Sequence, residues 1–174
     1  ITVTALYDAL DDVIPKTNDD GTINKKPAGY ITVTFSTEKN GKIKGTTNTT
    51  KVLYVNPNKA HVLRPYAPEV TPNTGYDYAD WDTQIDKRIQ YSDGDTIKAL
   101  YNAKGDVIPQ KNPNGSDRPA GYIKVLFDKG DHGNLSGQTV YYVNPNKEVT
   151  VPAPTVNASV GYEFNKWNKA LKQK

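Results

Sequence analysis

The chain has 174 residues, of which 36% are hydrophobic and 24% charged, with 22 basic residues against 19 acidic ones and neither cysteine nor methionine. Disulfides, zinc thiolates and thiol nucleophiles are therefore excluded, and no apolar run in it reaches the length of a membrane span or signal peptide. Only Arg64, Arg88 and Arg118 are arginine and the lysines alternate with acids, so the basic stripe of a nucleic-acid reader is missing. The apolar content suits two modest cores of about 85 residues each rather than one large core.

Taken in order, nearly every element occurs twice. Thr2-Val3-Thr4-Ala5-Leu6-Tyr7 reads as a strand and returns as Thr96-Ile97-Lys98-Ala99-Leu100-Tyr101, 94 positions later. Asp12-Val13-Ile14-Pro15 returns as Asp106-Val107-Ile108-Pro109. Pro27-Ala28-Gly29-Tyr30-Ile31, a turn that launches a strand, returns as Pro119-Ala120-Gly121-Tyr122-Ile123. The period-two alternation that follows points Ile31, Val33 and Phe35 inward in the first copy and Ile123, Val125 and Phe127 in the second. Hairpin loops are expected at Lys39-Asn40-Gly41-Lys42 and Asp131-His132-Gly133-Asn134.

The longest identical run is Tyr54-Val55-Asn56-Pro57-Asn58-Lys59, repeated as Tyr142-Val143-Asn144-Pro145-Asn146-Lys147. It predicts a strand running into a type I turn, with asparagine first and proline second. Pro65 and Pro68, or Pro152 and Pro154, then make the next segment an edge strand or extended coil. Gly75-Tyr76 and Trp81 return as Gly161-Tyr162 and Trp167. Short helical turns are expected at 83–88, 168–173 and 8–13. The offset between copies shrinks from 94 to 86 because the first carries short insertions, which exposed loops absorb cheaply.

The polar turn Tyr91-Ser92-Asp93-Gly94-Asp95 divides residues 1–91 from 92–174. Thr96–Tyr101 either closes the first unit's sheet or opens the second's, and the matching strand at the start of the chain favours the unit that follows. The absence of an initiator methionine and the start in mid-strand suggest a segment of something longer. The expected fold is mainly β with minor helix (α+β), as two tandem small β-rich domains arranged end to end in an elongated rod.

Candidate chemistry is sparse. His61 aligns with Val149 and His132 with Asn40, so neither histidine is repeated and both read as surface residues. Asn18-Asp19-Asp20-Gly21 invites a calcium reading, but placing Gly21 at the sixth position of an EF-hand loop puts Lys16 first and Pro27 twelfth, where oxygen ligands are required. Its counterpart, Asn112 to Asp117, is poorer in acids, so turn chemistry accounts for both. Tyr7/Tyr101, Tyr30/Tyr122, Tyr54/Tyr142 and Tyr76/Tyr162 recur in register with the strands, which points to core edges whose hydroxyls find backbone partners. Trp81 and Trp167 read as caps of the two cores. A lysine–asparagine isopeptide staple needs its groups buried together, whereas the matched pair Lys59 and Lys147 lies in the turn. No catalytic residue, metal ligand or cofactor site is assigned, and the chain does not read as an enzyme.

The ordered motifs Pro-Ala-Gly-Tyr-Ile-x-Val-x-Phe, Gly-x-(Ile/Leu)-x-Gly, Tyr-Val-Asn-Pro-Asn-Lys and Gly-Tyr-x-(Tyr/Phe)-x-x-Trp resemble the SHIRT domain, the streptococcal high-identity repeats in tandem, over nearly the whole chain and twice. The resemblance implies stalk repeats of a Gram-positive, cell-wall-anchored, extracellular adhesin. Their partners would be neighbouring repeats of the same chain, with host ligand binding left to a separate distal domain. The rival expectation is a repeat module that itself binds host glycan or protein through tyrosine-rich faces.

Overall fold

Ile31–Ser36 alternates apolar and polar side chains, the pattern of a strand with one buried face. In the computed structural model of the protein, which describes residues 1–173, it is such a strand, with Val33 and Phe35 fully buried. The chain is mainly β, with 35% of residues in strands against 3% in helix, and its two helical turns, Glu38–Asn40 and Arg64–Tyr66, are of three residues each. Helices expected at 8–13, 83–88 and 168–173 do not form. Each stretch, at six residues, is too short to repay nucleation.

The strands in chain order are β1 (Val13–Pro15), β2 (Ile31–Ser36), β3 (Gly41–Ile43), β4 (Thr50–Val55), β5 (Val70–Pro72), β6 (Tyr76–Trp81) and β7 (Thr96–Ala103). They continue as β8 (Val107–Pro109), β9 (Ile123–Leu126), β10 (Gly133–Ser136), β11 (Val140–Val143), β12 (Val149–Thr150), β13 (Thr155–Ala158) and β14 (Lys172–Gln173). Spatial neighbours divide the chain into two compact units, Ile1–Asn73 with Tyr78–Asn102, and Thr74–Asp77 with the residues from Ala103 onward.

The first unit is built on a five-stranded sheet in the order β1-β4-β2-β7-β6, with β3 and β5 paired beside it. β4 is antiparallel to both β1 and β2, whereas β7 runs parallel to β2 with Thr34, Phe35 and Ser36 opposite Thr96, Ile97 and Lys98. The strand 96–101 therefore closes the first unit instead of opening the second. The units part after Asn102, not after Tyr91 as the polar turn indicated. Its burial explains the choice: Ile97 and Ala99 enter a core made by Val33, Phe35, Leu53 and Val55, and capped by Trp81. The ring of Trp81 meets Phe35 edge-on at 4.8 Å. Residues 1–11, by contrast, form no strand, and Ile1, Val3, Leu6, Tyr7 and Leu10 are all exposed.

The second unit repeats part of this plan. β11 is antiparallel to β8 and β9 in a three-stranded sheet β8-β11-β9, matching β1-β4-β2, and β10 pairs with β13 as β3 does with β5. Its core holds Phe127, Tyr141, Val143 and Val151, with Trp167 meeting Phe127 edge-on at 4.9 Å. The proline-bearing segment of the first copy resolves into the turn Arg64–Tyr66 and β5, and Pro72 sits in that two-stranded pair, where an edge position tolerates a missing donor.

Candidate functional site

The duplicated turn is held by a side chain from elsewhere in its unit. As β4 ends, the Asn56 amide donates to the Asp12 carbonyl at 2.8 Å, and Asn56 Nδ2 donates to Asp12 Oδ1 at 2.9 Å. As β11 ends, Asn144 does the same to Asp106, at 2.9 Å through each group. The side-chain oxygen of each leading asparagine then accepts the amide of the second asparagine, from Asn58 at 3.0 Å and from Asn146 at 3.1 Å. This is an Asx turn with proline fixing its middle. In the second copy the Lys147 amide also reaches the Asn144 carbonyl at 3.3 Å, closing the expected turn.

In the first copy Lys59 Nζ adds an ion pair to Asp12 at 2.9 Å, and that lysine together with Asn56 holds the Asp12 carboxyl below the usual carboxylate range. Lysine, asparagine and acid are thus brought together as an isopeptide staple would require, but at the surface, with Lys59 61% exposed. His61 corrects an expectation. It is 8% exposed, its Nε2 lies 2.7 Å from the Asn56 carbonyl, and its amide donates to Ile89. Its alignment with Val149 was the available sign of an inward position. His132 is exposed as expected and stacks on Tyr162, with ring centres 3.9 Å apart.

The tyrosines divide. Tyr30 donates its hydroxyl to the Asp11 carbonyl and Tyr122 to the Gly105 carbonyl, both at 2.9 Å, so one repeated tyrosine anchors the residue preceding the repeated aspartate in each unit. Burial, and then Asp106 and Asp77, push the Tyr122 phenol up. Tyr101 donates to the Thr37 carbonyl at 2.7 Å, and a Cβ on Gly41 would stand 2.3 Å from its hydroxyl oxygen. Tyr7, the counterpart of Tyr101, is exposed, as is Tyr162. The polar loops serve turns: Asp20 accepts the Thr22 amide and hydroxyl, and Asp117 accepts the amides of Lys111 and Asn112. Among the described residues no three of histidine, aspartate and glutamate gather as a cation site.

Comparison with known proteins finds no matching family model, no matching curated protein and no matching solved structure.

One concavity sets the second unit apart, a groove of about 840 Å³ along β9 whose walls include Val125, Leu126, Phe127, Leu135, Trp167 and Leu171. Its origin is legible from the first unit's eleven buried core residues. Four have buried counterparts in Phe127, Tyr141, Val143 and Val151, and four have only half-buried ones in Val107, Val125, Trp167 and Leu171. The remaining three, Tyr91, Ile97 and Ala99, belong to the stretch 91–103, which nothing described in the second unit matches. Residues 162–167, the counterpart of β6, accordingly form no strand, and Phe164 and Leu126 are exposed. Trp167, Tyr162 and His132, three of the side chains weighed from the sequence, line this groove.

Proposed function

We propose that the chain is a spacer: two tandem β-rich repeats, end to end in a stiff elongated rod, that hold a distal ligand-binding domain away from a bacterial cell wall. The observation that carries this reading is how the repeated polar residues are used. Asp12 and Asp106, Asn56 and Asn144, Tyr30 and Tyr122 all bind their own unit's backbone or one another. What the two copies keep identical is thus what holds each corner in shape, which suits a part repeated for its length and stiffness. In such an array nearest-neighbour contacts alone set rigidity.

Each unit of about 85 residues has an expected radius of gyration near ~12 Å, so a rigid pair spans about 60–80 Å. Small-angle scattering tests the reading: a maximum dimension well short of that span, or a broad distribution of dimensions, refutes the rod. The glycan- or protein-binding alternative relies on tyrosine faces shared by both copies. Titration against host glycans and matrix proteins decides it, since saturable binding lost in Tyr76→Ala or Tyr162→Ala without loss of fold would replace the spacer reading.

A further inference from the structure

Asparagine followed by glycine occurs twice, at Asn40-Gly41 and Asn114-Gly115. A glycine has no side chain to hinder its backbone nitrogen from reaching the side-chain carbonyl carbon of the preceding asparagine, and its backbone turns freely. The fold decides which pair can use that chemistry. Asn40 ends the helical turn Glu38–Asn40, and its carbonyl accepts the Asn73 amide at 2.8 Å. Gly41 is buried in β3 opposite Pro72, with the Tyr101 hydroxyl where a Cβ would stand. Asn114, by contrast, lies exposed in the loop between β8 and β9. Its neighbour's amide is held by one bond, from Gly115 to the Asn112 carbonyl at 2.9 Å. The Ser116 amide donates to Asn114 Oδ1 at 3.0 Å, which draws electron density from the carbon that would be attacked.

We propose that Asn114 is a site of self-modification, deamidating through a cyclic imide with Gly115, while the fold protects Asn40. The Gly115 nitrogen attacks Asn114 Cγ and passes its proton to the departing amide. The Cγ–Nδ2 bond breaks, and Nδ2 leaves as ammonia. Water then opens the ring at either carbonyl, giving aspartate or an isoaspartate whose backbone is one carbon longer. Water is the only co-reactant, and no electrons change hands.

The first repeat already holds the aspartate product. Asp20-Gly21-Thr22 aligns with Asn114-Gly115-Ser116 at the offset of 94. The Gly21 amide donates to the Asn18 carbonyl at 2.9 Å and the Thr22 amide to Asp20 Oδ1 at 2.9 Å, the same two bonds as in the second repeat. Gly21 and Gly115 share the left-handed conformation, with φ of 84° and 75°. The Thr22 hydroxyl also donates to Asp20 at 2.6 Å, and that hydroxyl, then the amide, holds the Asp20 carboxyl below the usual carboxylate range. Ser116 carries a hydroxyl at the matching position. Aspartate at 114 therefore fits the turn as it stands. Isoaspartate is too long for it, and strains the neighbouring bonds by which Asp117 holds the Lys111 and Asn112 amides. The inference is independent of the spacer reading.

Peptide mapping of the full chain by mass spectrometry, after incubation in mildly alkaline buffer, tests it. Asn114 is expected to gain the single mass unit of amide-to-acid exchange at least about tenfold faster than Asn40, since exposed loops open at almost no cost and core-facing strands do not. In denaturing urea the two rates should converge, because local sequence then governs both. Asn114→Gln should abolish the gain at that site, glutamine needing a larger ring, and Asn114→Asp should keep the urea midpoint of the unmodified chain. Three results would overturn the proposal: equal rates at the two sites in the folded chain, an Asn114 that reacts only once the chain is unfolded, or a lowered midpoint in Asn114→Asp. None of them bears on the rod, which scattering tests separately.

Discussion

Replacing Asn144 with alanine isolates what the duplicated corner contributes. Asn144 is 3% exposed, so the groups it serves have little access to water in its absence. The substitution removes the bond from Nδ2 to Asp106 Oδ1 at 2.9 Å and the acceptor for the Asn146 amide at 3.1 Å. A bond to a charged acceptor contributes about 1.5–3 kcal/mol and a neutral one about 1 kcal/mol, so a loss of about 2–4 kcal/mol is expected. Asn56→Ala should cost clearly less, because Asn56 is only half-buried and Asp12 keeps its ion pair with Lys59. Urea unfolding followed by tryptophan emission reads both, with Trp81 in the first unit and Trp167 in the second. At an m-value of about 1 kcal/mol/M, the midpoint of the Trp167 transition should fall by about 2 M or more. Equal losses in the two variants, or a loss below about 0.5 kcal/mol in Asn144→Ala, would refute the account of the corner.

The Tyr91 hydroxyl is buried without a hydrogen-bond partner among the described residues, so Tyr91→Phe should raise stability by about 1 kcal/mol, measured by the same unfolding curves. Gly29 and Gly121 hold the same turn with φ of 78° and 79°, but a Cβ at Gly121 would stand 2.3 Å from Thr74 Oγ1 and 3.3 Å from its Cβ, whereas Gly29 faces open space. Alanine at Gly29 should therefore cost only the left-handed penalty of about 1–2 kcal/mol, and alanine at Gly121 distinctly more, as compared melting temperatures will show. The phenols of Tyr78, Tyr101 and Tyr122 are raised above their ordinary 10.0, chiefly by burial. The folded chain thus holds those protons more tightly than the unfolded one. That stability is complete below pH about 10 and is lost as pH rises through the raised values. Tyr122→Phe should flatten the alkaline decline in a series of denaturation curves, and an unchanged slope would count against burial as the cause.

Much of the local structure was legible because its causes are local. The alternation at Ile31–Phe35, the turns at Gly29 and Gly121, and the Asn-Pro-Asn corner each depend on neighbours a few positions away. The pairing of 96–103 was not legible, since the same six-residue pattern occurs as a buried strand in one copy and an exposed segment in the other. A period of two states which side chains share a face; it does not say whether another strand arrives to cover them. For the same reason Ile123 and Val125, expected to be inward, stand exposed and half-buried beside the open groove. Thr37 is fully buried, with its hydroxyl 3.0 Å from the Gly41 carbonyl and 3.2 Å from that of Thr49; it lies two positions past Phe35, in phase with the inward set, but its polar side chain masked that sign. The aspartate–asparagine clasp had a sign, since Asp12 and Asp106 are repeated as faithfully as the turn they hold, but sequence separation hid the partnership.

The parallel pairing of β7 with β2 also sets an order of events in time. Thr34 waits for Thr96, more than sixty positions later, before its strand has a neighbour on that side. Translation proceeds from the N-terminus, so the first unit cannot finish folding until β7 has emerged, by which point the polar turn at 92–95 is already made. Pairings across such a separation pay their loop entropy before any contact repays it, and are correspondingly slow. The rate at which this unit becomes whole is therefore governed by residues 96–103, and a nascent chain arrested before Thr96 should remain open at β2 for as long as it is held there.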